Sequence, residues 1–350
     1  MAGSDAPANV VSAREHLRVG QVIPAHPLAL TPRRTLDESR QRGLTRYYVD
    51  AGAGGVAVAV HTTQFAIRDS SIGLYRPVLE LAMDEARRAT ADRTRPFAMI
   101  AGICGHTAQA RTEAEIAAAL GYDAGLVSLG DWRTEPESEL IEHCREIAEV
   151  IPLFGFYLQR AVGGRPLGYD FWRRFAALDQ VVAIKIAPFD RYATLEVVRA
   201  VGDAGRRDIA LYTGNDDSII ADLLTTFPNG QRMAGGLLGQ WAVWTRRAVE
   251  LVHEIATRDA DASASRWMAR AAALTEANAA IFDASNQFAG CIAGIQEVLY
   301  RQGLLRSTRC LDARDRLSPG QADAITRVSA AHPELRDDEF VQTHLDDWLR

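Results

Sequence analysis

The sequence predicts an α/β chain: a (β/α)8 TIM barrel followed by an appended C-terminal helical region. Three observations carry that expectation. Short apolar runs alternate with amphipathic stretches eight times over about 240 residues. The connections between them are of ordinary length, and eight such units close into a barrel. No G-x-G-x-x-G follows the first apolar run, which disfavours an open doubly wound sheet. Residues 1–19 read as a polar N-terminal arm, 20–260 as the barrel and 261–350 as the helical region.

Each element follows in order. Gln21-Val22-Ile23-Pro24-Ala25 is the first strand, and Thr35-Leu36-Asp37-Glu38 has the pattern of a capping box opening a helix to about Asp50. Ala51-Gly52-Ala53-Gly54-Gly55 ends that helix. It precedes a strand, whereas a phosphate-cradling loop follows one, so it reads as a helix stop. Val56-Ala57-Val58-Ala59-Val60 is a buried strand, followed by a helix from about Leu74 to Ala89. Phe97 to Ile100, Gly125 to Leu129 and Leu153 to Tyr157 are the next strands. Their helices begin at Thr112, Pro136 and Tyr169. Val181 to Ile186 is the sixth strand, Ile209 to Tyr212 the seventh and Met233 to Gly235 the eighth, with helices over Thr194–Ala204 and Asp216–Thr226 between them. Beyond about Ala262, Ala and Leu recur at helical spacing, and the apolar faces must cover the barrel or a neighbouring subunit.

Composition bounds the function. The chain has 350 residues, 47% of them hydrophobic and 24% charged, with net charge -6 and pI about 5.8. No basic tract suggests a nucleic-acid face. Residues 1–20 lack the apolar core of a signal peptide, and no run approaches a membrane span. Cys104, Cys144, Cys291 and Cys310 are scattered and read as reduced thiols. The expectation is a soluble cytoplasmic protein without nucleic-acid or membrane partners.

One residue stands apart. Lys185 is the only lysine among 39 basic side chains. Arg cannot lose its proton in a protein, whereas a desolvated Lys becomes neutral and nucleophilic. A lone Lys ending an apolar strand is a candidate Schiff-base former. The same pattern fits a lysine that snorkels to water. In a barrel the site lies at the C-terminal strand ends, here His26, His61-Thr62-Thr63, His106, Asp131-Trp132, Tyr157, Lys185, Thr213 with Asn215, and Gly235-Gly236. Tyr157 and Lys185 end adjacent strands, so both can face one cavity. An amine with a phenol suits imine chemistry on a ketone: the amine attacks and the phenol shuttles protons, with Thr62 as relay.

Those residues carry a resemblance. Val182-Ala183-Ile184-Lys185 resembles the V-x-G-I-K strand of the dihydrodipicolinate synthase/N-acetylneuraminate lyase family of class I pyruvate-dependent aldolases. Phe156-Tyr157 is similar to the strand that ends in the tyrosine of its Y-N-x-P, His61-Thr62-Thr63-Gln64-Phe65 to its G-T-T-G-E turn, and Tyr212-Thr213-Gly214-Asn215-Asp216-Asp217 to its S-G-D-D segment. The similarity runs from about residue 20 to about residue 300. It implies a lyase, breaking or forming carbon–carbon or carbon–oxygen bonds, that acts on pyruvate or a related 2-oxo acid without cofactor or metal. Lys185, Tyr157 and Thr62 would be catalytic, and Thr63, Thr213 and Gly235 would bind substrate. Gly235 to Gly239 would form a turn after the eighth strand that shapes the pocket floor. The resemblance further implies a homo-oligomer, a dimer or a homotetramer.

Departures concern the second substrate. Gln64-Phe65 replaces Gly-Glu, and Leu158-Gln159-Arg160 replaces Asn-x-Pro. The carboxylate-binding arginine falls on Val162, leaving Arg160 or Arg165 as substitutes, and the paired tyrosines fall near Asp131-Trp132. The second substrate is therefore expected to differ from that of lysine biosynthesis. Alternatives are a dehydratase of a sugar-derived 2-oxo acid using the same lysine, a non-catalytic oxo-acid-binding barrel, and a metal-dependent hydrolase built on His26, His61 and His106 with Asp131 or Asp190.

Overall fold

The computed structural model describes residues 8–258 and 263–350. Eight parallel strands form one sheet: β1 (Val22–Pro24), β2 (Gly55–Val58), β3 (Ala98–Ile103), β4 (Ala124–Val127), β5 (Leu153–Leu158), β6 (Val181–Ala187), β7 (Ala210–Thr213) and β8 (Gly235–Leu238). Each pairs with its neighbour in chain order, and β8 pairs with β1. A parallel bridge from Ala25 to Ala57 joins β1 to β2 and closes the ring. The expected (β/α)8 barrel is what the chain forms.

The first helix, α1 (Ala8–Arg18), lies where the sequence suggests only a polar arm. Leu17 is fully buried among the inward-facing strand residues, and its carbonyl accepts the Tyr212 hydroxyl at 2.8 Å. The helix thus closes the N-terminal end of the barrel, leaving the other end for chemistry. The helices between strands are α2 (Glu38–Ala51), α3 (Tyr75–Ala89), α4 (Thr107–Leu120), α5 (Glu137–Ala148), α6 (Tyr169–Ala176), α7 (Arg191–Asp203) and α8 (Ile219–Leu224). Asp37, inside the expected capping box, is the N-cap of α2, and its carboxylate accepts the Arg40 N–H. Gly52 ends that helix at φ 94°, a left-handed conformation that glycine adopts without strain. Helix α4 starts at Thr107, five residues ahead of the Thr112 expected.

The eighth strand is also displaced. Gly235-Gly236-Leu237-Leu238 is β8 itself rather than a turn after it. Its two glycines admit close neighbours: a Cβ on Gly235 would meet the Gln21 backbone, and one on Gly236 the Trp241 ring. Close packing at the barrel wall therefore explains this Gly pair, and strand propensity does not.

After α9 (Thr245–Thr257) the chain adds α10 (Ala264–Ile281), α11 (Cys291–Arg301), α12 (Gln321–Ala331) and α13 (Asp338–Trp348). The junction expected at 260/261 lies outside the described residues. The C-terminal helices cover the barrel of their own chain. Trp348 donates its indole N–H to Asp50 at 2.6 Å, and the Tyr47 hydroxyl reaches Asp337 at 2.7 Å, so α13 is tied to α2. No helix among the described residues is long and apolar enough to cross a membrane. All four cysteines are free.

Candidate active site

Strand parity decides what enters the barrel mouth. On β6, Val181, Ile184 and Ile186 join the layer under the helices, whereas Ala183 and Ala187 face inward. Lys185 shares their phase, as side chains two apart share a face. Its amine sits 4.5 Å from the centre of the Phe156 ring. Gly214, just past β7, makes the room: a Cβ there would stand 2.7 Å from both Lys185 Cε and Ala187 Cβ. Lys185 keeps only 9% of its surface exposed.

The cavity around it draws on both halves of the chain. Thr62 and His61 come from the turn after β2, Phe156, Leu158 and Gln159 from β5 and its exit, and Asp216 from the loop after β7. The C-terminal region adds Phe282, Phe288, Cys291 and Ile295. The edge of Phe288 meets Phe189, their ring centres 5.6 Å apart, and closes one side. The cavity measures about 60 Å3, above the roughly 10–15 Å3 that a single water needs.

Charge in this space is sparse and closely linked. Burial pushes the Lys185 amine down to about 8, against the opposing pull of Asp216. Burial likewise raises the Asp216 carboxyl, and Lys185 draws it back. The two act on each other through space, with the Gln240 N–H donating to Asp216 Oδ1 at 3.2 Å. His61 is pushed down to about 4 by burial and by Lys185, so its imidazole stays neutral at physiological pH.

The other expected residues fall differently. Thr62 lines the cavity, and its hydroxyl donates to the carbonyls of Ala25 at 2.8 Å and His26 at 3.2 Å. Thr63 turns away: its hydroxyl donates to His26 O at 2.7 Å and accepts the Val60 N–H. That pair braces a turn flanked by Ala59 at φ 61° and Gln64 at φ 68°. The Thr213 hydroxyl donates to Asp222 at 2.6 Å, on the α8 side of the sheet. Gly235 begins β8, paired with Tyr212, and is not part of the cavity lining.

Tyr157 is the largest correction. The ladder pairs Phe156 with Lys185 and Tyr157 with Ile186, after a register shift between Leu153 and Phe154. Phe156 therefore shares the lysine's inward face. Tyr157 points out against Trp172 of α6, their ring centres 5.3 Å apart, and its hydroxyl accepts the Leu167 N–H at 3.3 Å. The two strands are adjacent as expected, but the phenol stands on the other side of the wall.

The arginines and histidines disperse as well. Arg165 donates to the carbonyls of Trp132 and Glu135, and Arg160 is exposed. His26 is buried, bonded to Thr45, Gln41 and the Pro27 carbonyl. His106 lies beside Trp132, Asp131 accepts the Gly105 N–H, and Asp190 caps α7. No group of three or more His, Cys, Asp or Glu suited to a metal exists among the described residues. The residues that local patterns did not assign to the site are Phe156, Asp216 and the aromatic cover from 282 to 295. Only the parity of β5 and the S-G-D-D-like segment hinted at the first two.

A (β/α)8 barrel with one buried amine at its mouth is the class that fold and site define. Its relatives narrow the class. No family model matches the sequence. A 4-hydroxy-tetrahydrodipicolinate synthase from Cyanothece sp. (strain PCC 7425 / ATCC 29141) is 27% identical over 210 residues, 59% of this chain and 66% of that protein. The chain spans about half to two thirds of the length of the curated relatives it matches. In fold it is similar to N-acetylneuraminate lyase from Fusobacterium nucleatum, with TM-score 0.70 at 15% identity over 91% of this chain and 100% of that one. It is equally similar to a prophage protein of the dihydrodipicolinic acid synthase family from E. coli K12, solved in complex with pyruvate, with TM-score 0.70 at 16% identity over 89% and 97%. The chain is thus similar in sequence to 4-hydroxy-tetrahydrodipicolinate synthases and in fold to barrels of the dihydrodipicolinic acid synthase family and to N-acetylneuraminate lyase.

Proposed function

We propose that the protein is a Schiff-base-forming lyase acting on pyruvate or a related 2-oxo acid through Lys185. The observation that carries this reading is the sole lysine of the chain, buried in a small cavity at the barrel mouth with its amine poised to be neutral. A neutral amine adds to the ketone carbon, water leaves, and the iminium withdraws electrons from the neighbouring carbon so that a carbanion equivalent forms there. Burial supplies the nucleophile, because the uncharged form needs no hydration. The Thr62 hydroxyl commits its proton to backbone carbonyls, so toward the cavity it offers lone pairs that can accept from a carbinolamine hydroxyl.

The second substrate differs, on this reading, from that of the relatives named as synthases, because neither Arg160 nor Arg165 faces the cavity. The chain works as a homo-oligomer in the reducing cytoplasm, a state that light scattering at micromolar concentration tests; a monomer there refutes the assembly.

Incubation with a panel of 2-oxo acids followed by borohydride tests the activity. Mass spectrometry is expected to find the reduced adduct on the peptide containing Lys185, and Lys185→Arg to abolish it with the fold intact. Protein left unmodified across the panel overturns the reading.

A further inference from the structure

Imine chemistry moves protons at three points, and the phenol expected to move them is outside the barrel. Phe156, which replaces it beside the amine, has no exchangeable proton. The cavity's remaining polar side chains are His61, Thr62, Gln159, Asp216 and Cys291. His61 is held neutral by burial far below physiological pH, and its conjugate acid is scarce. The Thr62 hydroxyl hydrogen is engaged in hydrogen bonds to backbone carbonyls. Burial raises the Cys291 thiol, leaving it a poor base. Gln159 does not titrate. Asp216 alone among them is an acid and base whose cost of exchange is small in this setting.

We propose that the Asp216 carboxyl is the proton-transfer residue of this site, acting on the carbinolamine and on the carbon next to the imine. The proposal rests on Lys185 being the Schiff-base residue. The steps balance. The amine adds to the ketone carbon and one amine proton passes to the new alkoxide. Protonated Asp216 then gives its proton to the carbinolamine hydroxyl, the C–O bond breaks, and water leaves with the iminium. The resulting carboxylate takes a proton from the adjacent carbon as its C–H electrons form the enamine double bond, which returns Asp216 to its acid form. When the enamine carbon attacks an aldehyde, that proton quenches the alkoxide. The cleavage direction is the reverse.

The geometry supports these roles together. Asp216 reaches the cavity from the loop after β7 while the Gln240 N–H holds Oδ1, fixing the carboxyl. It lines the same cavity as Lys185. The two groups titrate as a pair. Between their two steps the pair holds one proton, and one of its two arrangements is neutral amine with protonated carboxyl, the reactive state.

Electrostatics gives the test its sign. The Asp216 charge raises the Lys185 pKa, so removing it leaves more amine neutral. If Asp216 served only through its field, Asp216→Asn would trap a 2-oxo acid as fast as the wild type or up to about 10-fold faster at pH 7, the limit set by an amine titrating near 8. A proton-transfer residue predicts the reverse, since a positioned acid–base group contributes ~10²–10⁴-fold. The experiment is single-turnover capture of pyruvate with cyanoborohydride from pH 6 to 9, with melting temperature as a fold control. Wild type is expected to give a bell-shaped profile, and Asp216→Asn a rate at least about 100-fold lower without the alkaline fall. Asp216→Ala is expected to regain rate with added formate, a carboxylate small enough for the space vacated. Equal or faster capture by Asp216→Asn, or no rescue of Asp216→Ala, overturns the Asp216 role while the Lys185 adduct stands. Absence of any adduct in the wild type overturns the Lys185 reading and the Asp216 role with it.

Discussion

The lysine's titration can be watched directly, because the chain contains one. Selective labelling with 13Cε-lysine gives a single NMR resonance whose shift follows the charge on Lys185. Burial brings the amine from 10.5 down to about 8. At pH 7 an amine with pKa 8 is about 9% neutral, and one with pKa 10.5 about 0.03%, so burial raises the nucleophilic fraction roughly 300-fold. The resonance is expected to move with a midpoint near 8 in the folded protein and near 10.5 in denaturant. Asp216→Asn should carry the folded midpoint lower still, because the carboxylate charge raises it. A folded midpoint at or above 10 would refute the argument that burial activates this amine. It would favour a lysine whose ammonium reaches water.

Three further outcomes follow from the geometry. Tyr157→Phe should leave the rate of imine capture within about twofold of wild type, and it should cost about 1 kcal/mol of stability in denaturant melts because the buried Leu167 N–H loses its acceptor. A large loss of rate there would restore the phenol to the mechanism. Gly214→Ala should slow capture at least about 10-fold, because the new methyl would stand 2.7 Å from Lys185 Cε and push the amine off its line; normal single-turnover kinetics would refute this. Phe288→Ala should open the cavity and move the Lys185 NMR midpoint upward toward 10.5, since water then reaches the amine. An unmoved midpoint would remove the aromatic cover from the account of Lys185.

Much of the fold was legible because parallel strands buried on both faces read as continuous apolar runs. Val56 to Val60 and Val181 to Ile186 are such runs, and both mark real strands of the ring. Lys185 was legible for a compositional reason: where every other cation is Arg, a single Lys asks for chemistry Arg cannot do. The misplaced elements have local causes. Residues 8–18 look polar, yet α1 is anchored by Leu17 against strand residues more than 150 positions away. The Gly235-Gly236 pair resembles a turn because strand propensity opposes it, while the backbone of Gln21 and the ring of Trp241 require it. The cover formed by Phe282, Phe288 and Ile295 depends on how α10 and α11 fold back over the barrel, a long-range contact that no window of sequence encodes.

The phenol and the amine show how a one-residue question is settled by pairing rather than spacing. Twenty-eight residues separate Tyr157 from Lys185, a fitting length for one strand–helix–strand unit, and nothing in that length says which face the ring takes. Facing is set by the ladder. Because the register steps by one between Leu153 and Phe154, Phe156 rather than Tyr157 comes level with Lys185, and a slip of one residue sends every side chain to the opposite face. The helix layer favours this register: Tyr157 packs at a tilt on Trp172, Gly155 leaves space for Phe175, and Leu153 is fully buried in the same layer. Turning Tyr157 inward would send Phe156 and Phe154 out against that packing, and would bring Gly155 and Leu153 to the barrel axis in their place. Two large rings would leave the interior at once, at a cost of roughly 3–5 kcal/mol for each on the scale of large-to-small core changes. Packing therefore decides the phase of β5. Once it does, the proton transfers of an imine mechanism must find another group in the cavity, and Asp216 is where the loop after β7 supplies one.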